Sequence, residues 1–172
     1  MKRISMVVLL FVFAAALGWA GKATSADGTV SVEVPDDWVV VKPAEGVVVF
    51  FLTEKNETAT LTILREDLGS NRGQTSLRYL FMKLDNFEQT QRIENQSNPE
   101  PVLVAGKEAA RASFEAEIKQ PRGGRLRGGF IFTCLPVGDR LFTIVGTART
   151  DDMAAWQPIL DLIAGSLAIG SP

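Results

Sequence analysis

The chain has 172 residues, with 18 Lys or Arg against 20 Asp or Glu, one cysteine and no histidine, for a formal net charge of −2. Without histidine there is no Ser-His-Asp or Cys-His nucleophile, no His-ligated zinc or haem and no imidazole proton shuttle, and one cysteine closes no disulfide within the chain. A mildly acidic balance exerts no pull on nucleic acid, whose binding rests largely on neutralised phosphates.

The first 26 residues read as an export leader. Met1-Lys2-Arg3 is a basic start, and residues 4–17 run without a charge, with Ser5 the only polar side chain. That run is shorter than the ~20 apolar residues of a membrane-spanning helix. Basic start, short apolar run and small-residue end describe a secretory signal peptide. Two cuts fit the small-x-small rule, after Ala20 (Gly-Trp-Ala) and after Ala26 (Thr-Ser-Ala). The second is preferred, because Asp27-Gly28 then opens a polar segment ahead of the first strand. No cysteine lies near either cut, which excludes a lipoprotein anchor. Residues 27–172 remain, the length of one domain. The leader holds Lys2, Arg3 and Lys22 and no acid, so the remainder carries −5.

Residues 29–34 alternate, with Val30, Val32 and Val34 on one face, as in a half-buried strand. Pro35-Asp36-Asp37 is turn chemistry, and residues 38–41 resume a strand. Residues 47–52 are a continuous apolar run, read as a buried strand. Residues 57–65 alternate again, setting Ala59, Leu61 and Ile63 opposite Thr58, Thr60 and Thr62. The period then changes: Leu77, Leu80, Phe81, Leu84 and Phe87 mark an amphipathic helix over 76–88, with Thr75 or Ser76 as its cap. Residues 90–95 suit a polar edge strand.

From Pro101 the pattern is an antiparallel meander. Residues 102–106 lead into a strand over 108–119, where Ala112, Phe114, Ala116 and Ile118 share a face. Residues 120–124 are a hairpin loop, and 126–136 return with Gly128, Phe130, Phe132 and Cys134 on one face. Val137-Gly138-Asp139 turns into a last long strand over 140–149. Thr150-Asp151-Asp152 starts a helix with acids in its first turn. Trp156, Leu160, Ile163 and Leu167 form its apolar stripe, and Pro158 lies off it. The sum is an α+β domain, an antiparallel sheet with helices packed on it. The sheet face meeting the helices should hold Val30, Val32, Leu61, Ile63, Phe114, Phe130 and Phe132.

Pro35-x-x-Trp38, a middle helix after the fourth strand, the hairpin entry Gly106-Lys107-Glu108-Ala109 and the closing Ile163-x-x-Ser166-Leu167 occur in that order. In this the chain resembles the PsbP-like superfamily, which includes photosystem PsbP proteins, Ran-binding Mog proteins and DcrB-type bacterial envelope proteins. The resemblance covers the chain beyond the leader and implies the fold and a binding or assembly role, not catalysis. Metal sites of plant PsbP involve histidine, which this chain lacks. Ran binding is a nuclear and cytoplasmic task, at odds with the leader, so the envelope branch is the nearest comparison.

Arg122, Arg125 and Arg127 crowd the hairpin 121–129 of an otherwise acidic domain. Arginine matches carboxylate and phosphate oxygens in pairs, which makes these three the candidate contact for an anionic envelope component or partner; the alternative is a solvated turn served by its glycines. The acidic pairs Asp36-Asp37, Glu66-Asp67 and Asp151-Asp152 lack calcium-loop spacing and suit turns and caps. Cys134, among Ile131, Phe132 and Leu135, reads as a buried thiol. Trp38 and Trp156 read as core anchors. No catalytic residue, metal site or cofactor is expected. The reading is an exported, periplasmic or secreted binding or assembly protein, expected to be a monomer. A carrier of a lipid or other apolar ligand and a carboxylate-dependent hydrolase are the alternatives.

Overall fold

The computed structural model describes residues 19–41, 47–119 and 125–170. In chain order the elements are β1 (Trp19–Thr24), β2 (Val30–Pro35), β3 (Trp38–Val41), β4 (Val48–Glu54), β5 (Ala59–Asp67), α1 (Ser76–Glu88), β6 (Ile93–Glu94), β7 (Glu100–Val104), β8 (Lys107–Lys119), β9 (Arg125–Val137), β10 (Arg140–Arg149), α2 (Met153–Gly165) and β11 (Ala168–Ile169). The large sheet is antiparallel, in the order β3-β4-β5-β10-β9-β8-β6, with β7 also paired to β8. A small sheet, β1-β2-β11, lies apart from it. The expected α+β architecture is what the chain adopts.

Turn chemistry sets the registers. Ala105 and Gly106 both have positive φ, 52° and 70°, the backbone of a two-residue turn whose twist suits a hairpin. Val104 consequently faces Lys107 across β7 and β8. Gly138, at φ 61°, serves the turn that sets Val137 opposite Arg140.

Each face of the large sheet receives one helix. Thr75 caps α1, its Oγ1 accepting the Arg78 N–H at 3.2 Å. The helix buries Tyr79, Leu80 and Leu84 in a cluster with Ala110, Ala112 and Phe114 of β8 and Phe130, Phe132 and Cys134 of β9. Phe87 adds edge-on aromatic contacts to Phe114 and Phe132, at 5.1 and 5.6 Å between ring centres. Burying each large apolar side chain contributes about 1.5–3 kcal/mol. The opposite cluster gathers Leu160, Ile163, Ala164 and Leu167, from α2 and the residues after it, with Leu61, Ile63, Ile131, Leu135, Phe142 and Ile144 of the large sheet and Val30 and Val32 of the small one. Trp38 meets Trp156 edge-on at 6.0 Å in the same layer, in keeping with their reading as anchors.

Three expectations are corrected. The residues assigned to one sheet face divide between two: Leu61 and Ile63 lie with α2, Phe114, Phe130 and Phe132 with α1, and Val30 and Val32 belong to the small sheet. The run at 47–52 is not buried throughout. Phe50 and Leu52 are inside, but Phe51 is half-buried and Val47 exposed. On α1 the inward positions include Tyr79, while Leu77 and Phe81 are exposed. The Tyr79 hydroxyl donates to the Asn71 carbonyl, so the ring goes inside with its polar tip satisfied.

Glycine also acts in packing here. A Cβ at Gly146 would lie 3.0 Å from Leu160 Cδ1, and one at Gly129 would lie 3.0 Å from the Met153 side chain. These two positions let α2 and its leading turn close on β9 and β10, a role that composition read as turn service at Gly129.

Candidate functional site

The cross-strand registers define two rows on the α1 face. One runs Val39, Thr53, Thr60, Thr147, Phe130, Phe114 from β3 to β8. The next runs Val41, Phe51, Thr62, Val145, Phe132, Ala112. Directly opposed residues share a face, so each row is one continuous surface. The phenylalanine ends of both rows lie under α1. Toward β3 the surface opens: Val39 and Val41 are 45% and 41% exposed, and Phe51, Thr53, Thr60 and Thr62 are half-buried. Thr60 and Thr147 bond each other through their hydroxyls at 2.6 Å, which leaves mainly methyl groups outward. β3 is also an edge strand, with one side of its backbone unpaired among the described residues. The result is an apolar, methyl-rich half-face ending in a free strand edge.

The arginine hairpin is built differently. Arg122 lies outside the described residues. Arg125 and Arg127 stand exposed at the start of β9. Register puts Arg125 across from Lys119 and Arg127 across from Glu117. Arg125 pairs with Glu117 at 2.9 Å, and Arg127 pairs with Glu115 at 2.6 Å and with Glu94 at 3.1 Å. Beside them is an open cleft of ≈ 480 Å³ lined by Asn95, Glu115, Arg127, Arg149, Thr150 and Asp151. Both signs of charge line it: Glu115 is engaged by Arg127, Asp151 is a second acid, and Arg149 stands 3.9 Å from Asp152. An anion taken by Arg125 or Arg127 would have to displace Glu94, Glu115 or Glu117 from them. Sequence marked the arginines; their partners come from β6 and β8 through register.

The other ionic groups are tied into the fold. Glu54, 5% exposed, closes the β4–β5 hairpin by accepting the Asn56 N–H at 2.9 Å, the Asn56 side-chain amide at 2.8 Å and the Thr58 hydroxyl at 2.8 Å. Burial raises its pKa, and these hydrogen bonds outweigh that and hold it below its ordinary value. Glu66 pairs with Lys83 at a cleft of ≈ 210 Å³ that also takes in Asn71, Tyr79, Asn86 and Leu141. Asp37 pairs with Lys55 at 3.5 Å, and Asp152 stands 3.9 Å from Arg149. No group of three acids or cysteines able to hold a metal occurs among the described residues. Cys134 is fully buried, and desolvation pushes its thiol up to about 12. Among the described residues no helix is long and apolar enough to cross a membrane.

No family model and no curated protein matches the chain. Solved structures do. The solution structure of cyanobacterial PsbP (CyanoP) from Synechocystis sp. PCC 6803 is 14% identical, with 98% of each chain covered and a TM-score of 0.63. LpqN, involved in cell envelope biogenesis of Mycobacterium tuberculosis, is 11% identical over 87% of this chain and 90% of that one, with a TM-score of 0.59. The Saccharomyces cerevisiae Ran-binding protein Mog1p is 7% identical over 90% and 96%, also at 0.59. At these identities the likeness is one of fold.

Proposed function

The chain has the PsbP-like fold, and from that premise we propose that it is an exported, non-catalytic binding or assembly protein of the cell envelope whose partner is another protein. The observation that carries the reading is the open half-face of β3, β4 and β5. An exposed valine pair beside Phe51 and a free strand edge offers a partner apolar contact and backbone hydrogen bonds together, the combination used in strand addition. LpqN, a similar fold, is named for envelope biogenesis, and Mog1p for binding a protein. Export rests on the leader, with its basic start and short apolar run.

The arginine hairpin is a lesser contact in this reading. Of Arg122, Arg125 and Arg127, the two described, Arg125 and Arg127, would meet an acidic or anionic surface only by exchanging their present carboxylates for it, and such exposed pairs are worth little in salt.

The test is capture from native envelope with the purified domain as bait, parent against Val39→Lys/Val41→Lys. The parent is expected to retain a discrete protein that the variant holds at least roughly tenfold less well, as for loss of a central apolar contact. Equal retention by a variant of unchanged thermal midpoint would remove the half-face from the interaction.

A further inference from the structure

We infer that the leader is cut after Ala20 and that residues 21–26 belong to the working domain. This rests on the export reading and deepens it, because the two candidate cuts leave different molecules. β1 is an integral strand of the small sheet: Gly21, Lys22, Ala23 and Thr24 face Val34, Glu33, Val32 and Ser31 in unbroken antiparallel register. The register shifts between Trp19 and Gly21, so the regular ladder begins at the residue that follows Ala20. Gly21 and Lys22 are exposed, so a terminus created there lies at the surface of the small sheet.

A cut after Ala26 would take away more than an edge. Ser25 donates its N–H to the Val30 carbonyl at 2.8 Å, and its Oγ accepts the Val30 N–H at 2.9 Å. Val30 is 1% exposed, so both of its backbone groups depend on residue 25. The Ser25 hydroxyl also donates to Asp27 at 2.6 Å, and Asp27 in turn holds Arg65 of β5 at 2.6 Å. These bonds, with that of the Thr29 hydroxyl, hold the Asp27 carboxyl far below its usual range. Ala23 packs against the core cluster that holds Val30 and Val32. Without β1, the strand β2, buried along most of its length, would keep only the two-residue pairing with β11. Buried backbone groups left without partners are costly. The first cut removes none of these contacts.

The full chain, expressed in a bacterial host with a secretory pathway, tests this by intact mass and N-terminal sequencing of the exported product. Gly21 is the expected first residue. Ala20→Arg is expected to abolish the product that starts at Gly21 and Ala26→Arg to leave it intact, since the peptidase needs a small residue before the cut. A product starting at Asp27 overturns this inference and leaves export standing. One starting at Met1 overturns export, and the cut with it. As a second readout, protein 27–172 is expected to melt at least about 5 °C below protein 21–172; equal midpoints would show that β1 contributes nothing and would overturn the inference.

Discussion

Glu54 is the residue whose chemistry most directly sets a pH dependence. Its folded pKa lies below the free value of 4.5 because Thr58 and Asn56 donate to the ionised form. The sign follows from proton linkage: stability from this clasp is complete above about pH 4.5 and is lost as the pH falls through the lower folded value. Glu54→Gln is therefore expected to melt below the parent at pH 7, with the gap closing as both are titrated toward about pH 3, read by thermal unfolding across the range. A gap independent of pH would assign Glu54 a purely packing role. Cys134 gives a second expectation at this scale. Its fully buried thiol, raised to about 12, should react with a thiol reagent at least roughly a hundredfold more slowly in the native protein than in urea, since both access and thiolate are lacking.

Among the elements, α2 is held to the sheet by an ionic tie as well as by apolar packing. Arg111 of β8 donates to Glu100 of β7 at 2.6 Å and to Asp161 of α2 at 2.8 Å. Desolvation lowers the guanidinium pKa, and the two carboxylates more than restore it. Arg111→Ala is expected to cost about 1 kcal/mol in urea unfolding, since both partners are partly solvated. Amide exchange should quicken in α2 and β7 and stay unchanged in α1.

The elements also show what sequence reveals and what it hides. The meander β8–β10 and helix α1 were readable because long alternating runs and a Thr75 cap state their own ends. The division of the core was not, because alternation distinguishes inside from outside only when one face is wet. In β9 the residues from Phe130 to Leu135 are all buried, so both faces are apolar and parity says nothing about which helix lies where. β1 was hidden for another reason: Gly21-Lys22-Ala23-Thr24 has no strand pattern of its own and sits in a segment that reads as leader. The open half-face was equally hidden, since Val39, Val41 and Phe51 have the composition of core. Its exposure depends on where α1 stops, which is a tertiary fact.

At the scale of the molecule, the two ends of the described chain are built into one small sheet. β2 pairs with β11, the Glu33 N–H donates to the Ser166 hydroxyl 133 residues later, and the Gly170 N–H donates to the Thr29 carbonyl at 2.8 Å. Leu167, 2% exposed, belongs to the core cluster that also holds Val30 and Val32. A chain ending at Gly165 is expected to lose at least about 3 kcal/mol, the scale of deleting a buried leucine together with its strand pairing, as measured by urea unfolding.

That joining of ends has a consequence in time. Residues leave the ribosome in order, so β2 emerges long before Ser166, Leu167 and β11 exist to complete its sheet. β5 similarly waits for β10, its neighbour in space and far from it along the chain. Contacts so distant in sequence form slowly, and here the second strand made closes on the last. Until the residues after α2 are made, β2 has no partner on its β11 side, and the small sheet cannot close.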